Sequence, residues 1–272
     1  MRRQAALVRT DGACHNTPMR TRRILAGRRG WAAMLLITAP LVLEAQQRGR
    51  GFTGVLPPNL AYNGRFTFSR VLYPGAGYGR GGASWAHDYP AADLNLPGVL
   101  AEISSVRPNL GRSNVFALED PAIFQHPILY FSEPGYWRMT DEGARNLRAF
   151  LLKGGFAIFD DFEADQWINF AAQLLRALPE YQFIELDVRH PVFQSFFAME
   201  RLETPHPLVR VEPRYMGIFE DNDPRKRLMV IVNHNNDLAE YWEWSGTGFL
   251  PMDPTNGAFK LGINYVIYGL TH

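Results

Sequence analysis

The sequence predicts an α/β domain, a three-layer sandwich around a mostly parallel central sheet. Three observations predict it. Phe156-Ala-Ile-Phe159 is apolar at every position, so it has no solvent face and belongs in the middle of a sheet covered on both sides. Segments of helical and of strand character alternate along residues 65–272, which calls for crossover connections between parallel strands. Neither a solenoid-period repeat nor an internal linker divides that stretch, so one domain holds it.

The elements follow in order. Residues 66–73 (FTFSRVLY) are rich in β-formers and stop at Pro74-Gly75, a strand. A glycine-rich loop runs to Pro90. Its Gly77-Tyr-Gly-Arg-Gly-Gly82 fits G-x-G-x-x-G, but the dinucleotide-binding form must open a helix, and Ser84-Trp-Ala-His-Asp-Tyr-Pro90 follows instead. The loop reads as solvent-exposed. Asp93 precedes a helix over 94–103, with Leu96, Val99, Leu100 and Ile103 on one face and Pro97 and Gly98 weakening it. Residues 127–131 form a short buried strand. Thr140 caps the clearest helix, with Asp141 and Glu142 against its N-terminal dipole, Ala144, Leu147 and Leu151 on its apolar face, and Lys153-Gly154 at its end. After the 156–159 strand, Trp167, Phe170, Ala171, Leu174 and Leu178 mark a further helix closed by Pro179. Phe183-Ile184 and residues 228–232 read as strands, and 257–270 as a packing helix. Trp242 and Trp244, read as part of an extended segment, point to one side. With Trp85, Tyr89 and Trp137 they offer a stacking platform for sugar rings or peptide side chains; sealing a core edge is the more ordinary use of such residues.

The charge is unevenly spread. The chain of 272 residues carries 28 Lys and Arg against 27 Asp and Glu, but eight of the arginines fall before residue 46, leaving residues 46–272 with a net charge of −5. A basic nucleic-acid-binding body is thereby excluded. Residues 20–29 form a basic n-region, Trp31-Ala-Ala-Met-Leu-Leu-Ile-Thr-Ala-Pro-Leu-Val-Leu43 an apolar h-region, and Leu43-Glu44-Ala45 a small residue before a cut. Residues 1–45 therefore read as an export signal cleaved near Ala45, with Met19 as an alternative start. The apolar run is short of the roughly 20 residues a membrane span needs, so an uncleaved anchor is the weaker reading and the mature chain is expected to have no transmembrane span. Thr21-Arg22-Arg23-Ile24-Leu25 loosely resembles a twin-arginine signal, leaving the Sec and twin-arginine routes both open. Residues 46–64, punctuated by Gly, Pro and Asn, read as a flexible linker. The single cysteine, Cys14, lies upstream of the cut, so disulfides, thiolate zinc sites and cysteine nucleophiles are excluded from the mature chain.

In an open parallel sheet, ligands bind beyond the carboxyl ends of the strands. That rule selects Asp160, Asp161 and Glu163 after the 156–159 strand, and Asn233, His234 and Asp237 after the 228–232 strand. It also selects Trp85, His87, Asp88 and Tyr89 in the loop after the first strand, and His190 after the strand at Phe183. Two readings stand side by side. In one, Asp160 and Asp161 are hard-cation ligands or a general acid/base pair, with His190 or His234 as proton shuttle. In the other, the aspartates cap a helix or pair with an arginine, and His190 is a hydrogen-bonded turn residue. No G-x-S-x-G elbow, H-E-x-x-H or H-x₃-H motif is present, which argues against a nucleophile elbow and a pre-organised transition-metal site.

Several stretches together resemble the bacterial DUF4159 family, a domain of unknown function: FTFSRVLYPG from Phe66, SWAHDYPAADLNLP from Ser84, HPILYFSEPGYWRMTDEGARNLRAFLLKGGFAIFDDF from His126, HPVF from His190, HNNDLAEYWEW from His234 and KLGINYVIYGL from Lys260. The resemblance implies a flavodoxin-like or class I glutamine amidotransferase-like fold over residues 65–272. Amidotransferases of that superfold use a cysteine nucleophile, so the thiol-free mature chain excludes cysteine-dependent glutamine hydrolysis. The family often shows a T-G-H-like sequence where this chain has Ser132-Glu133-Pro134-Gly135, and so lacks a histidine there. The resulting expectation is an exported, periplasmic or secreted, non-catalytic module that binds a polar ligand or an envelope protein. No cofactor is expected beyond a candidate divalent cation. The rival is a hydrolase using the strand-end carboxylates and a histidine.

Overall fold

The computed structural model describes residues 54–74, 83–202 and 204–272. The segment read as an export signal, the expected cut near Ala45 and the Gly77–Gly82 motif lie outside the described residues.

Seven strands form one sheet: β1 (Ser69–Leu72), β2 (Asn114–Ala117), β3 (Ile128–Ser132), β4 (Phe156–Phe162), β5 (Ile184–Glu185), β6 (Arg214–Phe219) and β7 (Leu228–His234), in the order β2-β1-β3-β4-β7-β6-β5. The first five of that order run parallel. β6 is antiparallel to both β7 and β5. The all-apolar pattern has its expected consequence: β3, β4 and β7 are buried at every position. Period-two alternation then sends neighbouring side chains to opposite faces. Ile128, Tyr130, Phe156 and Ile158 pack on one side with α1 (Ala91–Ile103), α4 (Leu238–Glu243) and α5 (Met252–Thr271), through Leu96, Leu100, Trp242, Leu261 and Tyr265. Leu129, Phe131, Ala157 and Phe159 pack on the other with α2 (Asp141–Leu152) and α3 (Gln166–Ala177), through Leu147, Leu151, Phe170 and Leu174. These are the three layers.

Local chemistry sets the helix ends. The Thr140 side chain accepts from the Gly143 N–H at 2.9 Å, with Asp141 and Glu142 in the first turn, and α2 stops at Lys153 before Gly154, whose φ is 108°. Four differences from the sequence reading have physical causes. α1 begins at Ala91 rather than residue 94, because Asp93 does not cap it; that carboxylate is buried against Arg70 at 2.6 Å. β4 continues to Phe162, carrying Asp160 and Asp161 within the strand. β2 and β6 were not expected, the first being only four residues long and the second holding Arg214 and Gly217 in its run. Trp242 lies in helix α4, not in an extended segment, and Trp244 ends that helix. The stacking platform therefore does not form. Trp242 is fully buried beside Tyr130, Trp137 is fully buried on the opposite face against Phe131, and Trp244 packs on Phe249.

Among the described residues, no helix is long and apolar enough to cross a membrane.

Candidate functional site

Because β1, β3, β4 and β7 are parallel, their carboxyl ends share one rim. The chain order reverses between β1 and β3, with β2 on the far side of β1, so this rim includes a topological switch point. Three acidic residues at the rim adopt left-handed backbone: Asp88 (φ 61°), Glu133 (φ 44°) and Asp161 (φ 66°). Outside glycine that region is sparsely populated, and it re-aims each side chain away from where a regular strand or turn would send it. In β4 the register is irregular between Phe159 and Phe162. Asp160 and Asp161 consequently part company.

Asp161 Oδ2 accepts from the Ser132 hydroxyl at 3.1 Å and lies 2.8 Å from His87 Nδ1, which is also 3.4 Å from Asp88 Oδ2. His87, Asp88, Asp237 and Glu240 each offer one ligand atom within 4.8 Å of the others, and His87, Glu133 and Asp161 do the same. Glu243, one turn along α4 from Glu240, adds another carboxylate to the neighbourhood. Arg70, fully buried, anchors the loop that carries the imidazole: its Nη1 donates to the carbonyls of Trp85 and His87, both at 2.9 Å, while Nε and Nη2 engage Asp93.

The electrostatics follow from crowding. Burial, then the neighbouring carboxylates, push Glu133, Glu240 and Glu243 to about 8. Burial, then Asp161 and Asp88, raise Asp237 well above the ordinary carboxylate range. Asp88 and, secondarily, Asp161 hold His87 protonated against the opposing effect of its burial. For Asp88, burial pulls upward as the largest single effect, but His87, Arg70 and Glu240 together outweigh it and leave the carboxyl below its usual range. Both Asp88 oxygens are sealed from solvent and accept no hydrogen bond of good geometry, with His87 Nδ1 lying 3.4 Å from Oδ2.

Asp160 has a different role. It is fully buried and accepts from Tyr130 OH (3.0 Å), Asn233 Nδ2 (3.0 Å) and the N–H groups of Leu238 (2.9 Å) and Ala239 (3.2 Å). Its carboxylate thus caps the N-terminus of α4, while burial and then Asp161 push it to about 7. Asn233 completes the strut by accepting from Tyr265 OH at 2.8 Å. Asp237 both caps α4, accepting from the Glu240 N–H at 2.9 Å, and faces the cluster.

The remaining sequence candidates fall elsewhere. Trp85 is buried behind the loop with Tyr89 at a ring distance of 5.9 Å. His234 lies between Phe162 and Trp167 on the α3 side, its Nε2 3.2 Å from the Ala164 carbonyl. His190 sits at the opposite end of the sheet, beside Phe219, with Nδ1 accepting from the Val192 N–H. The structure thus joins His87, Asp88, Asp161 and Asp237, ties Asp160 and Asn233 to the cap of α4, and leaves His190 and His234 apart. Glu133, Glu240 and Glu243 were not selected from sequence. Glu133 follows β3 directly, so the strand-end rule would have found it; the other two needed α4 to be read as a helix, which sets Asp237, Glu240 and Glu243 three residues apart.

Fold and site together define an α/β domain with a buried acidic cluster, centred on one imidazole, at the carboxyl rim of its parallel strands. The chain belongs to the family described as Domain of unknown function (DUF4159), whose model matches residues 67–270. No curated protein matches the chain.

Proposed function

We propose that this domain is a non-catalytic binding module of the cell envelope that holds its ligand at the carboxyl rim through a positively charged group. The observation that carries the reading is Asp88, a carboxylate closed off from water whose oxygens make no hydrogen bond of good geometry, aimed among Asp237, Glu240 and His87, with His87 Nδ1 3.4 Å away. A buried carboxylate costs several kcal/mol unless it is paired and hydrogen-bonded. His87 is shared, at 2.8 Å from Asp161 and 3.4 Å from Asp88, and the Arg70 guanidinium is committed to Asp93. A bound cationic group supplies what the site lacks.

The hydrolase reading fits this geometry less well. A hydroxyl nucleophile needs the imidazole as its base, with the carboxylate behind the imidazole. Here the order is Ser132–Asp161–His87, with the carboxylate between the other two. Export rests on the basic and apolar segments before residue 46. The parallel order β2-β1-β3-β4 supports a flavodoxin-like assignment, to which this chain adds the antiparallel β6-β5 edge.

A melting-temperature panel on the full chain tests the reading, with the chlorides of Mg²⁺, Ca²⁺, Mn²⁺ and Zn²⁺, putrescine and arginine amide as probes. A cation at 100 times its dissociation constant adds about 2.7 kcal/mol, which moves Tm by roughly 5–10 °C in a domain of this size. The expected result is such a shift for the native chain and its loss in Glu240→Gln. No shift with any cation, or turnover of ester substrates abolished by His87→Gln, overturns it.

A further inference from the structure

Resting on that reading, we infer that the cationic group is a divalent first-row transition-metal ion of the Mn²⁺ or Zn²⁺ type, held by His87, Asp88, Asp237 and Glu240. Four donor atoms lie within 4.8 Å of one another. Donors on opposite sides of a single ion are separated by twice the metal–ligand distance, about 4–5 Å for bonds of roughly 2.0–2.6 Å. The spacing is therefore that of a coordination sphere. An ammonium group offers only three donors, and a guanidinium needs a flat slot; four groups gathered around a point match neither as well.

The donor set also discriminates among ions. Mg²⁺ and Ca²⁺ take oxygen ligands, whereas an imidazole among carboxylates favours an ion that accepts nitrogen and oxygen together. Asp88 is the independent sign of an outside ligand: neither of its buried oxygens makes a hydrogen bond of good geometry, with His87 Nδ1 at 3.4 Å, whereas Asp160 has four donors and Asp161 has Ser132 and His87. Asp161, bonded to His87 Nδ1 and itself oriented by Ser132, fixes the orientation of the ring. The alternative group of His87, Glu133 and Asp161 shares the same imidazole but is more exposed, so one ion is assigned, to the deeper set.

The experiment uses the full chain after dialysis against a chelator. Mn²⁺ binding is followed by loss of the free-ion electron paramagnetic resonance signal, Zn²⁺ and Ca²⁺ by calorimetry, and putrescine serves as the organic cation. One Mn²⁺ or Zn²⁺ per chain is expected, with affinity lowered tenfold or more in each of His87→Gln, Asp88→Asn and Glu240→Gln. These near-isosteric replacements are checked for native circular dichroism; any that fails to fold is set aside, since either of the others suffices. His87→Gln should weaken Zn²⁺ far more than Ca²⁺. Metal binding that all folded variants retain, or a Zn²⁺-to-Ca²⁺ preference that His87→Gln leaves unchanged, overturns the assignment. Stabilisation by putrescine alone overturns the metal while leaving the binding module standing, and silence from every cation removes both.

Discussion

Truncating Asp160 to alanine leaves Tyr130 OH, Asn233 Nδ2 and the Leu238 and Ala239 N–H groups without their acceptor. Loss of a buried hydrogen-bonded cap of this kind costs about 2–4 kcal/mol, read as a lower urea midpoint at unchanged slope. Glu240→Gln should do the reverse. It keeps an Oε1 acceptor for Trp244 Nε1 and removes a carboxyl that the fold must hold protonated at pH 7, so the metal-free chain gains about 1 kcal/mol in the same assay while cation binding falls. Stability and binding would then move in opposite directions at one residue, as sites that concentrate like charge require. His190 is the residue-scale control at the far end of the sheet. Burial depresses it, with Asp187 opposing and His272 adding to the effect, and Phe219 and Tyr268 pack on its ring. Its neutral form is the one the fold prefers, so its contribution is present above the ordinary imidazole range near pH 6.5 and is lost as pH falls through its lower folded value. His190→Asn keeps an acceptor for the Val192 N–H, so the loss of stability from pH 7 to pH 5 should be shallower in the variant than in the native chain.

At the scale of elements, α4 is the piece on which the rim depends. Six residues long, it presents Glu240 and Glu243 to the cluster while Trp242 enters the core between the sheet and α5. Gly262 in α5 makes room: a Cβ there would meet Trp242 Cζ2 at 2.6 Å. Gly262→Ala should therefore displace Trp242 and cost about 1–3 kcal/mol by overpacking, with weakened cation binding as α4 shifts. The same element shows where sequence reasoning stopped. The two tryptophans two residues apart suggest an extended segment, and a helix this short shows no sustained 3.6-residue period. α2 and α3 are longer, carry full apolar faces, and were legible for that reason. β6 was obscured by Gly217, which packs against Leu228 Cδ1, where a Cβ would come within 2.4 Å.

For the whole molecule, the central sheet was legible because β3, β4 and β7 have no polar face to show. The antiparallel edge was not, since β5 has two residues and pairing direction leaves little trace in so short a run. The strand-end rule picked out the rim where the acidic cluster gathers, but it could not tell which of two adjacent aspartates turns towards it; the left-handed backbone at Asp161 decides that. Likewise, no contiguous metal motif exists to be read, because His87 and Asp88 follow β1 while Asp237 and Glu240 follow β7. That arrangement has a consequence for biogenesis. On the metal assignment, a nascent chain emerges from the ribosome with half of the donor set, and selectivity among ions exists only once β7 has docked beside β4. Loading would then belong to the compartment where folding finishes, and the completed donor set would choose among the ions present there.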